Sequence, residues 1–456
     1  MSVVTFAEAR RIVEQHARRL QPSAAESVCL LEARGRVLAE AVVADRDFPP
    51  FARATRDGYA VRAADVARVP VRLEVAGEVK AGISPERIAY GLEPGEAAEI
   101  MTGAPLPRGG DAVVMVEYTS RHNDVVEVRQ GVAAGENVVR QGAEARAGDT
   151  LLAPGLAIDF TAVALAAAVG KAQLRVYAKP RVAILSTGDE LVDVAAAPGP
   201  TQIRNSNSYS LAAQVTAAGA RALILPIGRD DADELQRPIS KGLTADLLLL
   251  TGGVSVGKYD VVERVLEEMG AEFLFTGALI QPGKPVVFGR LTNARSLDSR
   301  QWQAPARDDN PEGVRGSTNA EGAANKSRNA KGAEEAKDAE EALGRYFFGL
   351  PGNPVSTMVT FEVFVRPVVE ALAGRKPRAL RFLRACLKSE VTVKPGLTRF
   401  LPARLCGEFE QCQVEAVRWH GSGDLMAVAQ ADCFLVVPPD RERIAAGEIV
   451  SVLLKN

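Results

Sequence analysis

Histidine and cysteine are scarce in this sequence of 456 residues. The three histidines, His16, His122 and His420, have no spacing typical of metal ligands, which disfavours zinc chemistry and catalysis by a histidine base. The five cysteines form no C-x-x-C pair and are odd in number, so we expect reduced thiols in a cytoplasmic protein. Carboxylates, lysines and backbone N–H groups must therefore carry any reaction.

An excess of charge of one sign and a long apolar run are also absent. The net charge of −2 disfavours a protein that coats nucleic acid. The most apolar stretch, ALAAAVGKAQLRVYA, is interrupted by Gly170 and Lys171 and is too short to span a membrane. The N-terminal segment MSVVTFAEARRIVEQHARRL has the pattern of an amphipathic helix rather than a signal peptide. We therefore expect no membrane or nucleic-acid partner.

A chain of this length is expected to fold into several domains, and changes in residue pattern divide it into four. The first forty-odd residues have a helical pattern, and we predict a discontinuous, extended connecting domain from residues 1–45 and 142–178. Residues 46–141 contain short β-branched runs between Gly and Pro turns, which predicts a β-rich module. Residues 179–375 alternate strands with helices, and residues 376–456 return to short β runs.

Residues 179–375 are the most informative part of the sequence. Apolar strands such as RVAILST and ADLLLLTG alternate with helices such as NSYSLAAQVTAAGA, which Asn and Ser residues cap, and this predicts a doubly wound parallel sheet covered on both faces. The predicted fold class is multi-domain α/β, with two mostly β modules and a connecting domain of helices and strands. Residues 292–343 contain almost no large apolar side chain, which predicts a disordered insertion, with a partner-binding tail as the alternative.

Polar residues and glycines follow the predicted strands at the positions where open parallel sheets bind ligands. Glu190 follows the first strand in STGDEL, and Asp230 follows the second in GRDD. The other candidates lie in the loops TGGVSVGKYD, QPGKPV and LPGNPVST: Gly252, Gly253, Ser255, Gly257, Asp260, Lys284, Pro351, Gly352, Asn353, Pro354 and Ser356.

These loops have the chemistry of a phosphate and metal site. Glycines let backbone N–H groups approach an anion, and helix N-termini add partial positive charge. Neighbouring carboxylates suit a Mg²⁺ ion that bridges phosphates, and Lys284 can balance further negative charge. Each loop alone can be explained as a tight turn or a helix cap. Four such loops at one sheet edge favour a site for a phosphorylated or nucleotide-linked ligand with a divalent metal.

The motifs, taken together, resemble a known family. Seven segments occur in the order found in the molybdopterin molybdenumtransferase (MoeA) family, which includes the E domain of gephyrin: RDGYAVRAAD, EIMTGAPLPRGGDAVVMVE, ILSTGDELV, QIRNSNSYSL, TGGVSVGKYD, IQPGKPVVFG and GLPGNPVS. The resemblance covers nearly the whole chain except the insertion. It implies a MogA-like α/β domain and an enzyme that inserts molybdate into adenylylated molybdopterin and releases AMP in a Mg²⁺-dependent step.

The resemblance also implies partners and residue roles. It implies an elongated homodimer whose cleft is shared between the α/β domain of one subunit and the β module of the other, with transient contacts to molybdopterin adenylyltransferase and recipient molybdoenzymes. Asp57 in DGYA and Thr102 in MTGA match cleft residues of the family, and Glu190, Asp230 and Asp260 match its acidic residues. Of these, Glu190 and Asp260 match the ligands of the nucleotide-bound Mg²⁺. Ser255, Lys284 and Ser356 match family residues that line the phosphate and molybdate pockets, and Pro351 and Pro354 match those that shape the last loop.

Four positions depart from the family pattern: Thr55, Arg56, Glu144 and Gln281. Many members have Ser and Met at the first two, Asp at the third and Lys at the fourth. Gln281 removes one positive charge from the expected oxyanion pocket, and Arg56 adds one elsewhere in the cleft. The effect of these changes on activity, and the choice between molybdate and tungstate, stay open.

Two other functions fit parts of the same pattern. A scaffold or cofactor carrier is one, since the gephyrin E domain has this architecture and the insertion offers a docking segment. A molybdopterin adenylyltransferase of the MogA type is the other, since it has a similar GGVS loop. The DGYA and MTGA segments favour metal transfer over adenylylation.

Overall fold

The computed structural model describes residues 2–252, 261–291, 344–376, 378–408 and 411–455. No helix in these ranges is both long enough and apolar enough to cross a lipid bilayer. Helix Pro354–Thr360 continues through a π-helical turn, Phe361–Val365, into helix Arg366–Leu372. The other α-helices in these ranges are Phe6–Ala17, Phe160–Ala168, Asn207–Ala217, Ala232–Gly242, Val261–Glu268 and Leu425–Gln430.

The chain forms two compact units. The smaller unit contains Ser27–Arg34 and Leu38–Arg175. The larger unit contains Met1–Glu26, Gly35–Val37 and Val176–Asn456. The finer division of the chain into four domains stays a prediction.

The N-terminal helix, Phe6–Ala17, begins with a capping box. The Thr5 side chain accepts the N–H of Glu8, and the Glu8 carboxylate accepts the N–H of Thr5. The helical pattern expected for the first forty-odd residues is wrong beyond this helix, because Ala25–Cys29 forms a strand. Pro22 precedes that strand and lacks the N–H that a continuing helix requires.

The smaller unit contains a six-stranded sheet, as its β-branched runs predict. Only Val71–Val79 and Glu96–Ile100 pair in parallel, and the other neighbours are antiparallel. Apolar residues from its strands form two separate buried clusters. The strand order is Ala112–Met115, Gly58–Val61, Glu96–Ile100, Val71–Val79, Val125–Val128 and Thr119–His122.

The central sheet of the larger unit also has six strands, in the order Arg221–Ile224, Arg181–Ser186, Leu247–Thr251, Arg345–Leu350, Val287–Leu291 and Ala271–Phe275. The first four are parallel, as predicted. The last two run antiparallel to their neighbours, so the prediction of an all-parallel sheet is wrong at this edge. The reason is that parallel neighbours need a crossover of a dozen or more residues, whereas the chain passes from Ala271–Phe275 to Val287–Leu291 without a helix.

Helices cover both faces of the central sheet, as predicted. One face packs against Phe6–Ala17, Asn207–Ala217 and the segment that starts with Pro354–Thr360. The other face packs against Ala232–Gly242 and Val261–Glu268. Because the four parallel strands all point the same way, the polar loops that follow them meet at one edge of the sheet. The predicted insertion, residues 292–343, lies outside the described residues.

The C-terminal strands close into a small barrel. Thr398–Cys406 pairs on one side with Gln413–Ala416 and on the other with Cys433–Val437. Leu383–Leu387 and Ile449–Leu454 complete the ring. Closure pairs the strand edges with one another and buries an apolar interior.

Candidate functional site

A pocket of about 390 Å³ lies where the parallel strands of the central sheet end. Its walls come from the loops that follow Arg181–Ser186, Leu247–Thr251 and Arg345–Leu350, and from the start of helix Asn207–Ala217. This is the edge at which the sequence predicted a ligand site. The lining includes these predicted residues: Glu190, Gly252, Pro351, Gly352, Asn353 and Pro354.

Other predicted residues are placed differently. Lys284 is exposed and does not line the pocket, although its neighbour Pro285 does. Ser356 is only 4% exposed, and its backbone carbonyl accepts a hydrogen bond from the hydroxyl of Thr360 at 2.8 Å. It therefore lies on the packed side of its helix. Four predicted residues lie outside the described part of the chain: Gly253, Ser255, Gly257 and Asp260.

Asp189, Glu190 and Asp230 form an acidic group after the first two strands. Partial burial, together with the negative charges of Asp189 and Glu190, raises the pKa of Asp230. The adjacent Asp231 caps helix Ala232–Gly242, because its Oδ1 accepts two N–H groups of the first turn at 2.9 and 3.1 Å. Asp231, and not Asp230, makes these capping bonds, so the role of Asp230 stays a prediction.

The position of the Glu190 carboxylate depends on Gly188. A Cβ atom at Gly188 would lie 2.5 Å from Glu190 Oε2, and the φ of Gly188 is +146°. A side chain at this position would displace the carboxylate, so the glycine of STGDEL makes room for the acid two residues later. Within the described residues, no group of three or more His, Cys, Asp or Glu side chains is arranged so that it could hold a metal ion. Glu190 alone would need ligand oxygens, water or further side chains to complete a cation's coordination.

The segment before helix Asn207–Ala217 supplies pocket residues that the sequence did not single out. Ser186 at the end of the first strand donates to Asn205 Oδ1 at 3.1 Å and lies 2.8 Å from Ser208 Oγ. Asn205 Nδ2 donates to the same Ser208 Oγ at 3.0 Å. These buried bonds attach the segment to the strand end. In the sequence its Asn and Ser residues were interpreted as helix caps. Asn205 fits this interpretation, because its Oδ1 also accepts the backbone N–H of Ser208 at 3.1 Å, whereas Ser206 makes no side-chain capping bond.

Asn207 joins three loops of the pocket. Its Nδ2 donates to Thr251 Oγ1 at 3.0 Å and to the carbonyl of Gly352 at 2.7 Å. Thr251 Oγ1 in turn donates to the carbonyl of Pro351 at 3.1 Å. The ends of the third and fourth parallel strands are thereby held against the start of the helix.

The turn at Gly252 is closely packed against the first strand end. Its φ is +90°, and an added Cβ would lie 2.1 Å from the carbonyl oxygen of Thr187. A Cβ at Gly352 would in turn stand 3.7 Å from the Cα of Gly252. Glycine at 252 is thus required both by the backbone conformation and by the space available.

The smaller unit brings Asp57 and Thr102 into direct contact. Asp57 Oδ1 accepts the backbone N–H of Thr102 at 2.7 Å and its hydroxyl at 2.8 Å. These two hydrogen bonds lower the pKa of Asp57, whose side chain is exposed. The DGYA and MTGA motifs therefore form one structural feature that presents an ionised carboxylate.

Three of the four positions that depart from the family pattern are exposed, and Thr55 is half-buried. Arg56 and Gln281 are exposed, and the short strand Ile280–Gln281 pairs with the start of Thr398–Cys406. Glu144 forms an exposed ion pair with Arg53 at 3.1 Å. Exposed ion pairs of this kind contribute little to stability.

Three family models match the chain in succession. The model described as the MoeA N-terminal region (domain I and II) matches residues 4–170. The model of a probable molybdopterin binding domain matches residues 183–371, which include the pocket. The model of the MoeA C-terminal region (domain IV) matches residues 384–455.

Curated proteins and solved structures agree with these models. The chain is 34% identical to the molybdopterin molybdenumtransferase of a Nostoc species over 94% of this chain and 88% of that protein. It is 28% identical to the protein of the same name from Staphylococcus aureus, over 94% of this chain and 90% of that one. Two crystal structures of a molybdopterin biosynthesis MoeA protein from Pyrococcus horikoshii each align over the whole of both chains, with TM-scores of 0.67 and 0.72 at 30% and 26% identity.

Proposed function

Since this chain belongs to the MoeA family of molybdopterin molybdenumtransferases, we propose that it inserts molybdate into adenylylated molybdopterin and releases AMP. Family membership makes it a transferase of molybdenum cofactor biosynthesis. The observation that carries the finer proposal is the pocket at the ends of the parallel strands, where Glu190 stands beside the glycine turn at Gly252 and the loop Pro351–Gly352. Nucleotide-bearing ligands bind at this edge in open α/β sheets.

Glu190, in the lining of the pocket, is the proposed protein ligand of a divalent cation. Partial burial and the charges of Asp189 and Glu190 raise the pKa of Asp230, and a cation would relieve the repulsion between these charges. Carboxylate oxygens are the donors that Mg²⁺ prefers, and Mg²⁺ usually keeps several waters and phosphate oxygens as further ligands. Glu190 would hold it, with Asp260 as the proposed second protein ligand. Bound there, Mg²⁺ would neutralise phosphate charge at the anhydride that is cleaved.

The protein groups have separate tasks in this proposal. The glycine turn at Gly252 and the loop Pro351–Gly352 bring backbone close to the ligand, and Asn207 holds these loops in register. The pocket lining contains no histidine, which is compatible with anhydride cleavage because carboxylates can orient the attacking water. Lys284 and Ser356 are proposed contacts of the oxyanion, and Asp57 and Thr102 are proposed to act in the insertion step from the smaller unit.

The direct test is to incubate the purified protein with adenylylated molybdopterin, Mg²⁺ and molybdate. We expect AMP, measured by chromatography, and active cofactor, measured by reconstitution of an apo-molybdoenzyme. A folded protein that yields neither product would contradict the proposal. AMP loading onto molybdopterin from ATP would instead favour an adenylyltransferase.

Glu190→Gln tests the cation site more sharply. The substitution keeps the shape of the side chain and removes its charge, so we expect AMP release to fall about 100-fold and the Mg²⁺ requirement to rise. Glu268→Gln is the matched control, because Glu268 is an exposed carboxylate that pairs with Arg264 at 3.7 Å and lies outside the pocket lining. Wild-type AMP release by the Glu190→Gln protein would remove Glu190 from the metal site.

We further propose that the protein acts in the cytoplasm as a homodimer and contacts the preceding adenylyltransferase and the recipient enzymes only transiently. The support is the resemblance to the family. Mixing inactive Asp57→Asn and Glu190→Gln proteins under subunit exchange tests the dimer, since a shared site would regain part of its activity. Light scattering that finds only monomers would exclude the dimer.

A further inference from the structure

Two buried polar atoms of the pocket-lining residues have no hydrogen-bond partner among the described residues. They are Thr187 Oγ1 and Asn207 Oδ1. Thr187 is only 1% exposed. Buried polar atoms are nearly always paired, because an unpaired one keeps the full cost of its lost hydration. Two such atoms in the lining of one pocket therefore point to a ligand that pairs them.

The direction of the neighbouring hydrogen bonds determines what Asn207 Oδ1 can bind. The hydroxyl of Thr251 donates its hydrogen bond to the carbonyl of Pro351. Thr251 Oγ1 must therefore be the acceptor in its hydrogen bond with Asn207 Nδ2. The second Nδ2 proton goes to the carbonyl of Gly352. If the amide were rotated by half a turn, Asn207 Oδ1 would face the carbonyl oxygen of Gly352, and two acceptors would lie against each other. Asn207 therefore presents its Oδ1 as an acceptor only.

The hydroxyl of Thr187 stands near the glycine turn. An added Cβ at Gly252 would lie 3.3 Å from Thr187 Oγ1. Because Gly252 has no side chain, the space next to this hydroxyl is left open. A threonine hydroxyl can donate one hydrogen bond and accept others. Together with the acceptor Asn207 Oδ1 in the lining of the same pocket, this hydroxyl can pair with ligand groups that bear an N–H or O–H.

We infer that Thr187 and Asn207 bind the neutral, donor-bearing part of the substrate, a ring N–H or a sugar hydroxyl, and not its phosphates or the molybdate. The inference rests on the proposed function and names which part of that substrate lies here. An oxyanion has no proton to donate and would be repelled by the Asn207 side-chain carbonyl oxygen. Two portions of adenylylated molybdopterin have the required donors: the adenosine and the pterin ring.

The first experiment compares Thr187→Val with the wild type. Valine has nearly the same shape without the hydroxyl, so the ligand-free variant loses an unpaired buried polar atom and should melt about 2–4 °C higher. Its affinity for the ligand part that Thr187 contacts should fall about tenfold, whereas Thr187→Ser keeps the hydroxyl and should bind within about twofold of the wild type. A threonine with a merely structural role would not combine higher stability with weaker binding.

Calorimetric titrations in the presence of Mg²⁺ identify the part that is bound. The probes are AMP, adenosine, unsubstituted pterin and inorganic pyrophosphate. If Thr187 contacts the adenosine, the affinities of Thr187→Val for AMP and adenosine should fall by the same factor, and its affinity for pterin should not change. If Thr187 contacts the pterin ring, only the affinity for pterin should fall. Pyrophosphate should bind both proteins equally, and a selective loss of its binding would overturn the inference.

The matched control is Thr360→Val. Thr360 is fully buried like Thr187, but its hydroxyl donates to the carbonyl of Ser356 at 2.8 Å. We expect no rise in melting temperature and no change in affinity for any probe. The inference is overturned, and the proposed function is left standing, if Thr187→Val binds AMP, adenosine and pterin as the wild type does. The same conclusion follows if the melting temperature of Thr187→Val does not rise. If the wild-type protein binds neither AMP, adenosine nor pterin, that result counts against the inference and against the proposed function.

Discussion

The carboxylate of Asp57 accepts two hydrogen bonds from a single residue, Thr102. One comes from the backbone N–H at 2.7 Å and one from the hydroxyl at 2.8 Å, both to Oδ1. The motifs DGYA and MTGA, far apart in the chain, thus meet at one side chain. The second carboxylate oxygen has no protein partner among the hydrogen bonds of the described residues, so Asp57 is held in place and yet open to a ligand.

Asp57→Asn should leave the fold intact and slow molybdate insertion about 100-fold or more. The amide oxygen of asparagine can accept both bonds from Thr102, so the turn persists while the negative charge is lost. Cofactor formation and the melting temperature are measured together. An unchanged insertion rate would make Asp57 a turn residue and nothing more.

Thr102→Val should raise the pKa of Asp57 toward its ordinary value of 3.8, because valine keeps the backbone N–H bond and removes the hydroxyl bond. In the wild type the folded-state pKa lies below the unfolded one. The stability that ionised Asp57 contributes is therefore present above about pH 3.8 and is lost as the pH falls through the lower folded-state pKa. Carbon-13 NMR titration of the Asp57 carboxyl in both proteins measures the change, and identical pKa values would contradict it.

Gly252→Ala should destabilise the protein more than Gly270→Ala. Both glycines have positive φ, +90° and +82°, so both alanines carry a similar backbone strain of about 1–2 kcal/mol. Only at Gly252 would the new Cβ clash, 2.1 Å from the carbonyl of Thr187, whereas nothing lies within 4 Å at Gly270. We expect an additional loss of about 1–3 kcal/mol at Gly252, measured by urea unfolding. Equal losses would mean that the turn at Gly252 moves freely away from the strand.

Replacing residues 292–344 with Asn-Gly should preserve folding and AMP release. Leu291 and Arg345 are paired in adjacent antiparallel strands, and two residues are enough to join such a pair in a hairpin. Shortening the connection should also raise the free energy of unfolding by about 3 kcal/mol, because less loop-closure entropy is lost. Activity is compared with that of the full chain. A loss of AMP release in a folded variant would assign the segment a part in catalysis, and a loss of partner binding alone would favour a docking segment.

Much of the larger unit could be predicted from local sequence patterns. Apolar runs such as LLLLT, bounded by helices, predicted the parallel strands, and the loops after them predicted the edge at which the pocket lies. The antiparallel edge was missed because the strand Ala271–Phe275 was not predicted, and because the direction of Val287–Leu291 depends on the segment that connects the two strands. Lys284 was predicted at the site from its motif; it lies outside the lining of this pocket, and its contact with the oxyanion stays a prediction.

The sequence by itself determined the family, the layered α/β class and the edge of the sheet at which the pocket lies. These properties follow from residue types and their order along the chain. Only the tertiary structure decided which polar groups meet: Asn207 with Gly352, Asp57 with Thr102, and the unpaired hydroxyl of Thr187 with the turn at Gly252. The physical reason is that a hydrogen bond depends on distance and direction in space, and these partners are separated by tens to more than a hundred residues of chain.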